Sequence, residues 1–167
     1  MLELFCSMTG RQDLYQQNGL AVQAQIQEVL DTVAGRPQPT ALLIRAYSSG
    51  AKAKGDDNLA GVILRDLGAD NLVTRHESLL EDLSLEAIIA GDPDYIFIVY
   101  QGSDPTDAKN LLDETLLSNP AWSTMRAVEE GRCIVLEHKL YNLKPNDQWG
   151  TAYDQLAQIL YGEETAE

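Results

Sequence analysis

Residues 95–100 have the sequence Tyr-Ile-Phe-Ile-Val-Tyr, which is an unbroken apolar run. A strand that is apolar at every position is buried on both faces, and this is typical of inner strands in a parallel sheet. Pro93 precedes the run, and Ser103-Asp104-Pro105 after it predicts the start of a helix. The run therefore predicts a central strand in a sheet that helices cover.

Further strands and helices alternate on both sides of this run. Ala41 to Tyr47 predicts a strand, and a helix is expected to begin at Asp57 and end at Gly68. Residues 71–73 predict a brief strand, and Cys133 to Leu136 predicts the next one. Strands separated by helices predict an α/β fold with a Rossmann-like, doubly wound, mostly parallel sheet.

Amphipathic helices are predicted before and after the sheet. Asp13 to Ala34 has apolar residues at helical spacing and is followed by Gly35 and Pro37, so one long helix is expected there. Ser84 is the expected N-cap of a helix from Leu85 to Ala90, and Asp147 is the expected N-cap of the closing helix. The predicted organisation is a connection with a long linking helix at 1–36, an α/β lobe at 37–162 and a frayed acidic tail at 163–167.

In such a fold, ligands bind at the carboxyl ends of the strands. The loops expected at this edge are 48–57, 74–83, 101–104 and 137–146. The candidate ligand-binding residues in or beside them are Arg45, Tyr47, Ser48, Lys52, Lys54, Tyr100, Gln101 and Tyr141. The tyrosines suit a flat or metal-chelating ligand, although a tyrosine alone at such a position is more often a residue that packs at the rim. Lys52 and Lys54 form either an anion site or a solvated loop.

Enzymatic chemistry has no residues to support it in this sequence. Gly50 and Gly55 have the spacing of a phosphate-binding loop, but Asp56 and Asp57 stand where that loop requires Lys and Ser or Thr. No Gly-x-Ser-x-Gly motif is present, and the two histidines have no metal-site spacing. His138 is either a ligand of haem iron or a surface residue. We therefore expect a binding protein without a catalytic residue, an intrinsic cofactor or a resident metal.

The formal net charge of −14 argues against nucleic acid or an anionic membrane surface as a partner. No window approaches the roughly 18 apolar residues that a membrane span needs. Cys6 resembles the cysteine of a lipoprotein cleavage site, but neither a basic nor a long apolar segment precedes it. We expect any export signal to be encoded further upstream, so that the chain is a fragment.

Five phrases in order resemble the substrate-binding proteins that deliver iron complexes and cobalamin to ABC importers. They are residues 10–13 with the long helix, residues 57–61 with 67–71, Leu83-Ser84-Leu85-Glu86, Asp92-Pro93-Asp94-Tyr95-Ile96-Phe97, and residues 119–122 with 127–132. The resemblance covers nearly the whole chain. It implies the C-terminal lobe of a two-lobe protein whose lobes are joined by one helix and hold the ligand between them.

The resemblance also implies partners and a location. In that family, an exposed glutamate at the position of Glu86 pairs with arginines of the permease, so Glu86 is the expected docking residue. The implied ligand is a ferric siderophore, haem or a corrinoid, and the N-terminal lobe of the same polypeptide is expected to be missing here. The full-length parent is expected to be extracytoplasmic, either periplasmic or lipid-anchored.

Two other interpretations remain open from the residues. A stand-alone flavodoxin-like domain, acting as a cofactor-binding enzyme or a signalling module, would have a similar order of elements. A signalling receiver is disfavoured because Arg45-Ala46-Tyr47 stands where acidic residues would be expected. A surface adhesin built on the same lobe is the third interpretation.

Overall fold

The computed structural model of the chain describes residues 2–102 and 104–162. Its contacts divide the chain into two units, of which one comprises residues 37–144 and the other combines the residues up to 36 with those from 145 onward. The predicted acidic tail at 163–167 lies outside the described residues.

The sheet belongs to the unit formed by residues 37–144. Its strands are β1 (Thr40–Tyr47), β2 (Gly50–Ala53), β3 (Asp70–Asn71), β4 (Tyr95–Tyr100) and β5 (Cys133–Val135). The strand order is β2-β1-β4-β5, and β3 pairs with the beginning of β1. All pairings except β1 with β2 are parallel. The mixed, mostly parallel sheet confirms the predicted α/β class, and β4 is an inner strand as its apolar sequence predicted.

Helices connect the strands and flank the sheet. The α-helices are α1 (Leu2–Thr9), α2 (Gln12–Tyr15), α3 (Ala21–Val33), α4 (Leu59–Asp66), α5 (Leu85–Gly91), α6 (Thr106–Leu112), α7 (Arg126–Glu129), α8 (His138–Tyr141) and α9 (Trp149–Tyr161). Two segments are π-helical, at Gln16–Leu20 and Asp113–Leu117. Short 3₁₀ turns lie at Leu72–Thr74, Glu77–Leu80, Trp122–Thr124 and Asn146–Gln148.

Side-chain caps explain where two of the connecting helices begin. The Asn58 side chain accepts a hydrogen bond from the backbone N–H of Ala60 at 3.0 Å and starts α4. The Ser84 hydroxyl accepts from the backbone N–H of Ala87 at 3.3 Å and starts α5, as the sequence predicted. These caps satisfy N–H groups that have no partner within their own helices.

The two faces of the sheet are covered by different helices. One apolar cluster contains side chains from one face of β1 and β4 together with residues of α5, α6 and α7. Its members in these elements are Leu42, Ile44, Ala46, Ile88, Ile96, Ile98, Tyr100, Ala108, Leu112 and Ala127. Because parallel crossovers are right-handed and β3 lies on the far side of β1 from β4, α4 covers the opposite face. The chain between the sheet strands is therefore doubly wound.

The hairpin of β1 and β2 replaces a loop that the sequence analysis expected at residues 48–57. Strand β2 runs antiparallel to β1, with Tyr47 opposite Gly50 and Arg45 opposite Lys52. The expectation of an open loop was wrong because Gly50 to Ala53 continues the ladder after a turn at Ser48 and Ser49. The glycine spacing that resembles a phosphate-binding loop thus belongs to a hairpin strand and the turn after it.

The turn between β2 and α4 packs closely on the helix. A Cβ atom at Gly61 would overlap the backbone carbonyl of Gly55. The Asn71 side chain donates to the backbone carbonyl of Lys54 at 2.9 Å, and Lys54 forms an ion pair with Asp57 at 2.6 Å. These contacts fix the backbone that leads from the sheet edge into α4.

The second unit, residues up to 36 with those from 145, contains two helices of 13 residues each, α3 and α9, which contact each other. A Cβ atom at Gly150 would collide with the Gln25 side chain, so glycine permits the close approach of the two helices. The expected helix at 13–34 is interrupted by the π-helical segment, and α1 was not predicted. Helix α9 starts at Trp149 without a side-chain cap, so the assignment of Asp147 as its N-cap was wrong.

The sequence analysis assigned α9 to the α/β lobe, whereas its contacts group it with α3. Val33 is the one buried residue of α3, and the other apolar residues of this helix are half-buried or exposed. Arg36 donates to the backbone carbonyl of Tyr161 at 2.6 Å, which satisfies a carbonyl at the end of α9.

A polar clasp joins the starts of β1 and β4. Both the backbone N–H and the hydroxyl of Thr40 donate to the Asp94 carboxylate, at 2.8 and 2.7 Å, and Arg126 pairs with the same carboxylate at 2.8 Å. Burial alone would raise the pKa of Asp94, but the hydrogen bonds from Thr40 and Arg126 outweigh it and hold this pKa below its ordinary value. The clasp is therefore charged at neutral pH.

Substitution of Gly61 tests the close contact between α4 and the preceding turn. Alanine favours a helix over glycine by roughly 1 kcal/mol, but an added Cβ must displace the Gly55 carbonyl, and overpacking costs about 1–3 kcal/mol. We expect Gly61→Ala to lower the free energy of unfolding, measured by urea denaturation. Ala90→Gly, at an exposed position of α5, calibrates the helix-propensity effect. A Gly61→Ala protein more stable than the wild type would contradict the contact.

The clasp predicts a stability difference that depends on pH. Asp94→Asn keeps an acceptor for Thr40 but removes the charge that faces Arg126. Asp94→Ala removes both, and we expect it to lower the free energy of unfolding by about 1–3 kcal/mol. Because the pKa of Asp94 is lowered in the folded state, the advantage of wild type over Asp94→Asn is complete above the ordinary carboxyl pKa of about 4 and disappears as pH falls through the lower folded value. Urea denaturation over an acid pH series measures this, and an unchanged advantage at the lowest pH would be inconsistent with it.

Candidate functional site

The carboxyl ends of β1, β4 and β5 lie at the same edge of the sheet because these strands are parallel. Tyr47 ends β1, Tyr100 ends β4, and β5 ends at Val135. The loop residues that follow these strands take no part in the strand pairing, so they can present side chains to a ligand.

A pocket of about 390 Å³ opens at the ends of β4 and β5. Its lining residues come from the segments just after these two strands and from the start of α8. They are Tyr100, Gly102, Pro105, Val135, Leu136, Glu137, His138 and Lys139. Val135 is 56% exposed, which gives the pocket an apolar surface that solvent can reach. The pocket combines apolar walls with one imidazole, one carboxylate and one ammonium group.

His138 is held at this pocket by the backbone of β4. Its Nδ1 atom lies 3.1 Å from the backbone carbonyl oxygen of Tyr100. The Asn142 side-chain Nδ2, one helical turn further along, also lies 3.1 Å from His138 Nδ1. The ring is half-buried, and both of these polar groups lie beside its Nδ1 atom. The sequence analysis named His138 as a candidate without finding either partner.

Tyr100 lines the pocket and is only 9% exposed. Burial, with smaller contributions from Asp113 and Cys133, raises the pKa of its hydroxyl. The hydroxyl is therefore protonated at neutral pH and can donate a hydrogen bond. Gln101 follows it, is exposed, and uses its backbone N–H to bind the Ala46 carbonyl at 2.9 Å.

Arg45, Tyr47 and Lys52 lie on the other face of the sheet. Tyr100 pairs with Ala46 in the parallel ladder, and neighbouring partners point to the same side, so the side chains of Arg45 and Tyr47 point away from Tyr100. The Arg45 guanidinium lies over the Tyr47 ring, 5.5 Å from its centroid. Lys52 is the cross-strand partner of Arg45 and is exposed. The structure thus separates the sequence candidates into two groups on opposite faces.

Three further candidates are not among the residues that line this pocket. The Lys54 side chain is 20% exposed and its ammonium group is paired with Asp57, so it acts in the turn before α4. Ser48 lies in the turn between β1 and β2. Tyr141 is only 1% exposed, so its ring is part of the core and offers no surface to a ligand. The expectation for Tyr141 assumed a loop where the structure has the helix α8.

Glu86 lies in the first turn of α5 with its side chain exposed. Hydrogen bonds from its own backbone N–H and from the Ser84 hydroxyl, at 2.9 Å to Oε2, hold the pKa of Glu86 below its ordinary value. Glu86 therefore presents a permanent negative charge at neutral pH. Within the described part of the chain, Glu86 forms no hydrogen bond or ion pair with a residue that lines the pocket.

Sequence reasoning missed most of the pocket lining and Asn142. The loops at 101–104 and 137–146 were expected at the ligand edge, but within them only Gln101, Tyr141 and His138 were named. Val135 and Leu136 were interpreted as strand residues alone. The available signal was position, since a residue at or just after the end of an inner strand lies at this edge whatever its type.

Within residues 2–102 and 104–162, no group of three His, Cys, Asp or Glu side chains is placed to hold a metal ion. Among the same residues, no helix is both long enough and apolar enough to cross a membrane.

Comparison with protein families identifies the relatives of this chain. The profile of the family described as periplasmic binding protein matches residues 1–140 of the 167. The chain belongs to this family. The match confirms the resemblance that the five sequence phrases indicated, and it favours a binding protein over the flavodoxin-like alternative. No curated protein matches the chain by sequence.

Solved structures of binding proteins share the fold. A periplasmic haem-binding protein from Pseudomonas aeruginosa is 23% identical with a TM-score of 0.74, over 97% of this chain and 58% of its own. The periplasmic haem-binding protein RhuT from Roseiflexus sp. RS-1, in its apo form, is 21% identical with a TM-score of 0.72, over 93% of this chain and 59% of its own. A Fe³⁺-hydroxamate transport protein from Saccharomonospora viridis is 16% identical with a TM-score of 0.69, over 95% of this chain and 53% of its own.

These comparisons establish the fold and the family. The chain spans about three fifths of the length of the first relatives it matches. The family to which the chain belongs is described as one of binding proteins.

Proposed function

We propose that this chain is the C-terminal, ligand-binding lobe of the substrate-binding component of an ABC importer for an iron complex. The observation that carries the proposal is the pocket at the ends of β4 and β5, where an imidazole held by a backbone carbonyl lies among apolar walls. Membership in the periplasmic binding protein family supports a transport role without chemistry on the ligand.

Among iron complexes, haem fits the pocket residues best. Haem needs an apolar surface for its macrocycle and a side chain that can bind the iron. Val135, Leu136 and Pro105 supply apolar surface, and His138 supplies a nitrogen ligand. A ferric siderophore would instead rely on hydrogen bonds and charge, and a corrinoid on a wider opening. Both remain alternative ligands to be distinguished by titration.

The proposal includes a second lobe and an extracytoplasmic location. The relatives are longer than this chain, and a pocket on one lobe gives a ligand contacts on one side only. We therefore assign the other side of the ligand to an N-terminal lobe of the same polypeptide. Members of the family act outside the cytoplasm, so the parent protein is proposed to be periplasmic or lipid-anchored at the cell surface.

Delivery of the ligand requires a surface that the permease recognises, and we assign this role to Glu86. Its carboxylate is exposed, ionised and supported by Ser84 in α5. Its position corresponds to the docking glutamate of the resembling family. An exposed carboxylate of this kind suits a charge-assisted pair with an arginine of the permease.

Titration with ligands tests the pocket. We expect the purified chain to bind ferric haem with a Kd no tighter than roughly micromolar, because half of the ligand's contacts are missing. His138→Ala should weaken binding about tenfold or more and change the absorbance spectrum of the bound haem. His76→Ala, at the other histidine of the chain, is the matched control and should behave as wild type.

Three results would oppose parts of this proposal. Equal haem spectra and affinities for wild type and His138→Ala would remove His138 as an iron ligand. A ferric hydroxamate or cobalamin that binds more tightly than haem would identify a different cargo. Nanomolar binding of any of them would show that the second lobe is not required for affinity.

Charge reversal at Glu86 tests docking. Glu86→Arg should leave the ligand affinity of the purified chain unchanged but reduce uptake of radiolabelled ligand by cells that carry the variant gene at its native locus, because like charges would then meet at the permease. Glu114→Arg, an exposed reversal on another segment, controls for the change in net charge. Normal uptake with Glu86→Arg, or a loss of ligand affinity, would contradict the docking role.

A further inference from the structure

The backbone at the end of β4 needs a donor that β5 does not provide. The Ile98 carbonyl accepts from the backbone N–H of Leu136 at 2.8 Å. Two residues further along β4, the Tyr100 carbonyl faces the same side, because carbonyls alternate along a strand. Strand β5 has ended by then, at Val135. The His138 ring takes the place of the next backbone donor, with Nδ1 at 3.1 Å from the Tyr100 oxygen.

This contact selects one tautomer of the neutral imidazole. A carbonyl oxygen is only an acceptor, so Nδ1 must carry the hydrogen for a favourable contact at this distance. Neutral imidazole has a single N–H, and Nε2 is then unprotonated and able to bind a metal ion. Histidines that bind metals commonly donate their other ring N–H to a backbone carbonyl in this way.

The orientation of the Asn142 carboxamide determines whether its contact with His138 Nδ1 is favourable when Nδ1 donates to the Tyr100 carbonyl. With Nδ2 toward His138 Nδ1, at 3.1 Å, two donors would face each other. In that orientation the Asn142 Oδ1 atom is buried and has no hydrogen-bond partner among the described residues. The two ends of a carboxamide are nearly equal in size, so the group can fill the same space with Oδ1 toward the ring. Oδ1 then accepts from Nδ1–H and gains a partner.

We propose that Asn142 is a positioning residue for His138. Its Oδ1 atom and the Tyr100 carbonyl together accept Nδ1–H, hold the ring in one tautomer and keep Nε2 unprotonated as the atom that binds a metal centre in the pocket. The identity of that centre as haem iron rests on the function proposed above, whereas the tautomer and the role of Asn142 do not.

Nitrogen-15 NMR of the purified chain without ligand, in mildly alkaline buffer, measures the tautomer directly. His138→Gln assigns the His138 signals, and His76 serves as the internal reference. We expect the Nδ1–H tautomer to predominate in the wild type. Asn142→Asp, which has only acceptor oxygens, should preserve it. Asn142→Leu, which has a similar shape and no acceptor, should shift the tautomer ratio roughly 3- to 10-fold toward Nε2–H, as expected for the loss of one hydrogen bond.

A predominant Nε2–H form in the wild type would overturn the proposal, and so would an unchanged ratio in Asn142→Leu. Circular dichroism of each variant establishes that it is folded. If Asn142 had a merely structural role, its substitutions would alter stability, but Asn142→Asp and Asn142→Leu would have the same tautomer ratio. The same samples are then titrated with ferric haem. Failure of haem to bind would refute the proposed cargo and leave the NMR result to decide the role of Asn142.

Discussion

Backbone hydrogen bonding along β4 is the constraint on which the remainder of the α/β unit depends. β4 pairs with β1 on one side and with β5 on the other, both in parallel register, and its residues from Ile96 to Val99 are at most 2% exposed. Parallel pairing requires the three strands to end at one edge. The last carbonyls there still need donors, and Gln101 and His138 provide them, at Ala46 and Tyr100. The requirement that builds the sheet therefore also positions the imidazole.

The two faces of the sheet edge have different chemistry as a consequence of the pleat. Tyr100 lies on the face that contains the apolar cluster with α6, whereas Arg45 and Tyr47 lie on the face covered by α4. Neighbouring residues of one strand cannot act on the same face, however close they are in sequence. An edge ligand can contact both groups only by lying across the ends of the strands.

The sequence predicted the features that depend on periodicity and caps. The apolar run of β4, the strand β1 and the Ser84 cap of α5 are present as expected, because each follows from local residue pattern. The hairpin strand β2 was missed because its sequence Gly-Ala-Lys-Ala, which follows two serines, resembles a loop, and only pairing with β1 makes it a strand. The sequence analysis expected a ligand at this edge of the sheet, but it did not find the hydrogen-bond partners of His138. The contact between His138 and Tyr100 joins residues 38 positions apart, which no local pattern indicates.

The distribution of cations adds a further argument about the sheet edge. Of the 12 lysines and arginines in this chain of net charge −14, several are neutralised by carboxylates within the described residues. The paired ones are Arg11, Lys54, Arg65, Arg75, Arg126 and Arg132. Among the others, Arg45 and Lys52 lie at the end of the hairpin and Lys139 lines the pocket. Of the six cations without an ion pair in the described residues, these three lie at the carboxyl edge, and the other three are Arg36, Lys109 and Lys144. The three at the edge favour a ligand with anionic groups, which the acidic remainder of the surface would repel.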